Sequence, residues 1–170
     1  KLYVVFVGRL TQIKRPDRLL DIAAAMQARG VAVEFLVAGE GALFAQSQTR
    51  AKSAQLPVTF LGWRKDIDEL FAASDIAILT SDNEGIPLTL IQAAQAALPI
   101  IAPKVGSISD IVENNVTGFL TSPAPGAMAS ALSALATDEK LRIQLGSAGK
   151  KRASELFSLE RMLRDHTEIY

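Results

Sequence analysis

Two cations share one glycine-led stretch, Gly8-Arg9-Leu10-Thr11-Gln12-Ile13-Lys14. Arginine offers a planar fork that can hold two phosphate oxygens, and lysine a compact point charge. Together they suit a diphosphate, although a surface loop can carry the same pair. A second polar stretch, Ser81-Asp82-Asn83-Glu84-Gly85-Ile86-Pro87, runs into Leu88-Thr89-Leu90-Ile91-Gln92 and on to Ala97 and Pro99. Pro87 suits the first position of a helix, where a missing N–H is harmless. The residues after it are good helix formers. A loop entering a helix presents bare N–H groups and a positive dipole end, which attract an anion. Gly85 would let that anion reach the backbone. Glu84 cannot bind it but can accept hydrogen bonds from hydroxyls. Gln92 would share a helix face with Leu88 and Gln95. The spacing points to a phosphate at the helix start with a polyhydroxylated group beside it. A plainer alternative has Glu84 serving only the helix dipole and Gln92 only solvent.

The remaining candidates narrow the chemistry. The first loop lacks G-x-G-x-x-G and the P-loop pattern, which disfavours a hydride-transfer dinucleotide site. Trp63 follows Gly62 at a strand end and either lies against a base or packs half-buried. Arg64 and Lys65 reach a phosphate or face water. Arg15 reads as a solvated residue at a helix start. Asp66-x-Asp68 resembles a metal-binding pair, but acidic side chains commonly open helices. His166 is the sole histidine and falls in the last helical run, away from the loops. Metal centres and Ser-His-Asp catalysis therefore find no support, and no metal or cofactor is expected.

The elements that must position these loops alternate. Strands are expected at 2–7, 33–38, 58–61, 75–79, 100–102 and 118–120. Helices are expected at 16–30, 42–54, 67–73, 108–112, 126–136, 138–156 and 159–170, besides the one entered at Pro87. Such a rhythm gives βαβ units, with a parallel sheet covered by helices on both faces. Ligands then bind at the carboxyl ends of the strands. The loops on that edge are 8–14, 39–41, 62–64, 81–87 and 103–107. At 170 residues the chain is one domain with a sizeable core. Lysine plus arginine equals aspartate plus glutamate, so a basic nucleic-acid face is not expected. There is no cysteine, hence no disulfide. No apolar run approaches a membrane span, and no signal-peptide pattern is seen. Opening directly on a strand-like run, the chain reads as a piece of a longer protein.

In order along the chain stand F-V-G-R-L-T-Q-I-K (6–14), V-A-G-E-G (37–41), F-L-G-W (60–63), S-D-N-E-G-I-P-L (81–88), A-L-P-I-I-A (97–102), V-G-S-I-S-D-I-V (105–112) and N-V-T-G-F-L (115–120). The ending F-S-L-E-R-M (157–162), closing on Tyr170, completes them. With these landmarks essentially the whole chain resembles the C-terminal, donor-binding domain of retaining glycosyltransferases of family 4, which have the GT-B fold. The resemblance implies a Rossmann-like three-layer α/β/α domain with a six-stranded parallel sheet. It implies that an N-terminal acceptor domain is absent from residues 1–170, and that these residues alone bind a nucleotide without transferring sugar.

The resemblance also assigns roles. Arg9 and Lys14 would hold the donor diphosphate, and Glu84 would lie against the donor sugar; these three are the catalytic candidates. The donor-binding candidates are Gly8, Gly39, Gly62, Trp63, Gly85, Ile86, Pro87, Leu88 and Gln92. Among them Gly85 to Leu88 would cradle the diphosphate, Gly62 and Trp63 would hold the base, and Gln92 would bond the ribose. A UDP-sugar is the favoured donor, and a hexose or N-acetylhexosamine the group moved. The acceptor would be a glycan or lipid-linked saccharide in polysaccharide assembly. The whole enzyme would then be cytoplasmic, peripheral at the inner face of a membrane. Gln92 stands where the family has glutamate, which costs a charge-assisted bond of roughly 1 kcal/mol. Ala97 replaces a glycine; a left-handed backbone there would cost about 1–2 kcal/mol. Ser107 and Asp110 replace a glycine and a glutamate. An epimerase or hydrolase on the same fold, or a non-catalytic nucleotide-binding module, would fit the same loops.

Overall fold

The computed structural model describes residues 1–157. The helical run expected at 159–170, with His166, lies outside the described residues. Six strands form one parallel sheet: β1 (Leu2–Val7), β2 (Val33–Ala38), β3 (Val58–Gly62), β4 (Ile76–Ile78), β5 (Ile100–Pro103) and β6 (Gly118–Thr121). Their order is β3-β2-β1-β4-β5-β6. Each expected strand is present, within about a residue at each end. The helices are α1 (Pro16–Ala28), α2 (Phe44–Ser53), α3 (Ile67–Ala72), α4 (Leu88–Gln95), α5 (Ile108–Ile111), α6 (Pro125–Thr137) and α7 (Glu139–Leu156). Pro87 stands one place earlier than expected: its extended ψ of 97° caps α4 from outside.

Strands covered on both faces should be apolar throughout. Val4, Val5 and Phe6 are accordingly all buried, with their side chains alternating between two cores. Val4 and Phe6 join Leu19, Ile22 and Met26 of α1 and Met128 and Leu132 of α6 on one face. Val5 joins Phe71, Leu90, Ile91 and Ile108 on the other. The architecture is thus Rossmann-like, three layers deep.

Every expected loop emerges at the carboxyl edge of the sheet. Between β1 and β4 the strand order reverses, since the chain leaves β1 for β2 and β3 before returning. Loops from these two neighbours diverge and open a crevice.

Ala97 ends the turn after α4 with φ at 60°. Glycine could adopt this freely, whereas alanine's Cβ is crowded there. The conformation persists because α7 packs against it: a Cβ on Gly146 would come within 2.0 Å of the Ala97 carbonyl oxygen. Ala97→Gly is therefore expected to stabilise the chain by about 1 kcal/mol, read as a higher urea midpoint with an unchanged m-value.

Candidate functional site

A buried ion pair spans the crevice. Lys14 ends a short 3-10 turn, Gln12–Lys14, in the loop after β1. Its Nζ meets Oε1 of Glu84, from the loop after β4. Ser81 Oγ donates to the same oxygen at 2.6 Å. Glu84 Oε2 has no partner among the described residues and remains able to accept. The Glu84 side chain is only 8% exposed, so its charge needs this company. Main-chain ties hold the two loops in register. The Asp82 N–H donates to the Ile13 carbonyl at 2.8 Å, and Thr80 Oγ1 donates to the Lys14 carbonyl at 2.8 Å.

A second tie was hidden in the sequence. Arg18, on α1, is 5% exposed. Its guanidinium donates to the Thr80 carbonyl and, at 2.6 Å, to Asp82 Oδ1. Arg15 donates to Asp82 at 3.0 Å and to Asp17 at 2.8 Å. It is not the solvated helix-start residue expected: it starts the helix, with φ 52°, but its guanidinium is taken up by Asp17 and Asp82. Hydrogen bonds from Arg18 and then Arg15 hold the Asp82 carboxyl below the ordinary aspartate range, against some desolvation. Arg15 does the same to Asp17. An i, i+3 spacing of two arginines beside an aspartate-bearing loop was the one available signal.

The loops after β1, β2 and β3 line a hollow of about 440 Å³, walled by Gly8, Arg9, Gly39, Gly41 and Trp63, among others. Three loops meet there, main chain against main chain. A Cβ on Gly39 would come within 2.0 Å of the Gly8 carbonyl oxygen, so only glycine fits. Gly39 N–H donates to the Gly62 carbonyl at 2.7 Å, and Leu10 N–H to the Glu40 carbonyl at 2.9 Å. Arg9 is exposed and has no partner among the described residues. Trp63 is 64% exposed, which removes the packing alternative; Lys65 Nζ stands 5.6 Å from its ring centre. Arg64 is paired with Asp66.

At the start of α4 the N–H groups of Gly85, Ile86, Leu88 and Thr89 have no partner among the described residues. A Cβ at Gly85 would meet open space. The loop after β5 buttresses this segment: Ser107 N–H donates to the Glu84 carbonyl at 3.3 Å. Gly106, with φ +52°, passes so close that a Cβ would lie 1.9 Å from that oxygen. Gln92 is placed apart from the hollow, exposed on α4 in a shallow depression with Asp68, Gln95 and Ala96. The structure thus joins Lys14 to Glu84 and gathers Gly8, Arg9, Gly39 and Trp63, and Gln92 is not among the residues that line their hollow. Among the described residues no group of three His, Asp or Glu side chains could hold a metal ion, and no helix is long and apolar enough to cross a membrane.

The lowered Asp82 value sets a sign for acid stability. A carboxyl whose folded value lies below its unfolded one, about 4, stabilises the fold above that value. The contribution is lost as pH falls through the depressed value. Asp82→Asn should therefore lower stability at pH 7, and the difference from the parent chain should shrink below about pH 4. Thermal melts of both chains at several pH values check this. A pH-independent difference would remove the carboxylate from the account.

Residues 1–152 match the family model described as Glycosyl transferases group 1. N-acetyl-alpha-D-glucosaminyl L-malate synthase of Bacillus anthracis is 26% identical over 98% of this chain and 44% of its own length. A D-inositol 3-phosphate glycosyltransferase of Salinispora arenicola is 31% identical over 98% of the chain and 40% of its own. The chain therefore spans less than half the length of these curated relatives. Among solved structures, S. aureus TarM in complex with Fondaparinux, alpha-GlcNAc-glycerol and UDP superposes with a TM-score of 0.92 at 24% identity, over 98% of this chain and 34% of its own. Anabaena Alr3699/HepE in complex with UDP-glucose superposes with a TM-score of 0.85 at 26% identity, over 99% of this chain and 48% of its own. The six-stranded parallel sheet with its helices matches GT-B glycosyltransferase structures. With almost its whole length matched, the chain belongs to the group 1 glycosyltransferase family.

Proposed function

We propose that the chain is the donor-binding half of a retaining glycosyltransferase of family 4. It would move a hexose or N-acetylhexosamine from a nucleotide sugar, a UDP-sugar first, to an acceptor hydroxyl. The observation that carries this reading is the Lys14–Glu84 contact across the crevice, with unpaired N–H groups beside it. UDP in the TarM and HepE complexes supports the choice of base for these similar folds.

In this reading the pyrophosphate lies along the Gly85–Leu88 amides and draws on Arg9 and Lys14. Its negative charge grows as the sugar bond breaks. Fixed N–H groups and cations stabilise that charge without having to reorganise. Lys14 is already held at the crevice by Glu84 and needs no search through rotamers. The free Oε2 of Glu84 accepts from the sugar's hydroxyls and orients the ring. Trp63 offers an exposed aromatic face to the base. The donor's phosphate oxygens take the acceptor proton, and residues of the acceptor domain supply the second wall. A metal is not required where two cations meet the diphosphate. The acceptor would be a glycan or lipid-linked saccharide, with the enzyme peripheral to the cytoplasmic face of a membrane.

NMR titration of the 170-residue chain with UDP-, GDP- and ADP-sugars tests the binding step. Shifts are expected at Gly8, Arg9, Gly39 and Gly85, largest with the uridine compound. In the whole protein, Arg9→Ala or Glu84→Ala should lower transfer by roughly 10²-fold or more, the usual loss of a group that meets developing charge or orients the sugar. Retained transfer in both variants would overturn the assignment. Release of free sugar without acceptor would instead mark a hydrolase.

A further inference from the structure

The loop after β5 carries α5, a single turn of helix. One turn is not stable alone in water, so both of its ends need outside support. At its N-terminal end Ser107 N–H donates to the Glu84 carbonyl, and Gly106 runs against the same oxygen. At its C-terminal end the support comes from α7. Arg152 Nη2 donates to the Asp110 carbonyl at 3.1 Å, and Nη1 reaches Glu113 Oε2 at 3.4 Å. A cation at this end also meets the negative pole of the turn.

Arginine is costly in this place. Its Nε is enclosed and has no partner among the described residues. A buried N–H left unpaired is rare, and an apolar side chain of similar length would avoid it. Packing therefore gives no reason for the guanidinium, whereas its bonds to the far end of α5 do.

The near end of α5 controls an amide. The Glu84 carbonyl and the Gly85 N–H belong to one trans peptide plane, so they point in opposite directions. Holding the oxygen toward Gly106 and Ser107 aims the N–H away from them. Gly85 N–H has no partner among the described residues, and glycine's free backbone would not fix its direction. We infer that Arg152 is a positioning residue for the donor site: through α5 it holds the Glu84–Gly85 peptide so that the Gly85 N–H meets the diphosphate. This assignment rests on the donor reading and adds to it a residue that acts only through its neighbours.

NMR titration of the 170-residue chain with UDP tests it. Arg152→Met keeps the stem and removes the N–H groups. In that variant the Gly85 amide signal should move before any ligand is added. UDP should then bind about fivefold to tenfold more weakly, the loss of one well-aimed hydrogen bond to an anion. The shift at Trp63 on saturation with UDP should be unchanged. Arg152→Lys, which keeps a charged donor for the Asp110 carbonyl, should restore most of the affinity. Thermal melts separate this from lost stability, because a purely structural role moves the melting temperature and leaves the affinity of the folded chain as it was. Unchanged UDP affinity in Arg152→Met overturns the inference, as does an unmoved Gly85 amide. UDP bound by the parent chain leaves the donor reading standing in either case, whereas a parent chain that binds no UDP overturns both.

Discussion

One buried carboxylate organises the crevice. Glu84 is nearly enclosed, and an enclosed charge must be matched or neutralised. Lys14 and Ser81 match it on one oxygen. That requirement fixes how close the loop after β1 must come to the loop after β4. The backbone bonds from Asp82 and Thr80, and the clamp of Arg15 and Arg18 on Asp82, are the means by which the two loops reach that distance. Buried ion pairs are weak evidence for stability. Here the pair is better understood as a positioning device, since it holds a cation and a free carboxylate oxygen at the place where the sheet order reverses.

Glycines do a complementary job on both flanks of the crevice. Gly39 lets the loops after β1 and β2 touch main chain to main chain, and Gly106 lets the loop after β5 press on Glu84. A side chain at either place would force backbones apart by more than an ångström. The rim is thus built from close backbone contacts, and the groups left over include N–H donors and Arg9, which has no partner among the described residues. Such a surface suits an anion, and family membership gives that chemistry its context.

Much of this was legible beforehand. The strands were readable because buried parallel strands are short continuous apolar runs, and the helices because apolar residues recur at helical spacing. Arg9, Lys14 and Glu84 stood out as charges in glycine-bearing loops. Arg18 did not, because on a helix face it resembles any solvated arginine until the fold buries it. Arg15 misled because one of its partners, Asp82, lies far along the chain and is brought to it only by the fold. Trp63 had two readings, and its exposure sets the packing one aside. Gln92 was read as a ribose-bonding residue on the helix after the loop, and the structure leaves it exposed on α4 near Asp68 and Gln95.

The order of residues by itself determined the elements, the two-faced parallel sheet and the edge at which a ligand would bind. These follow from periodicity and turn chemistry, which are local, and from the handedness of βαβ connections, which is general. Tertiary structure alone decided which strand ends are neighbours, and therefore that residue 14 meets residue 84. It also decided which polar groups are satisfied. Partnership across seventy positions depends on strand order, and whether a charge such as that of Arg18 is buried depends on what packs around it; neither quantity is written in any local window of sequence.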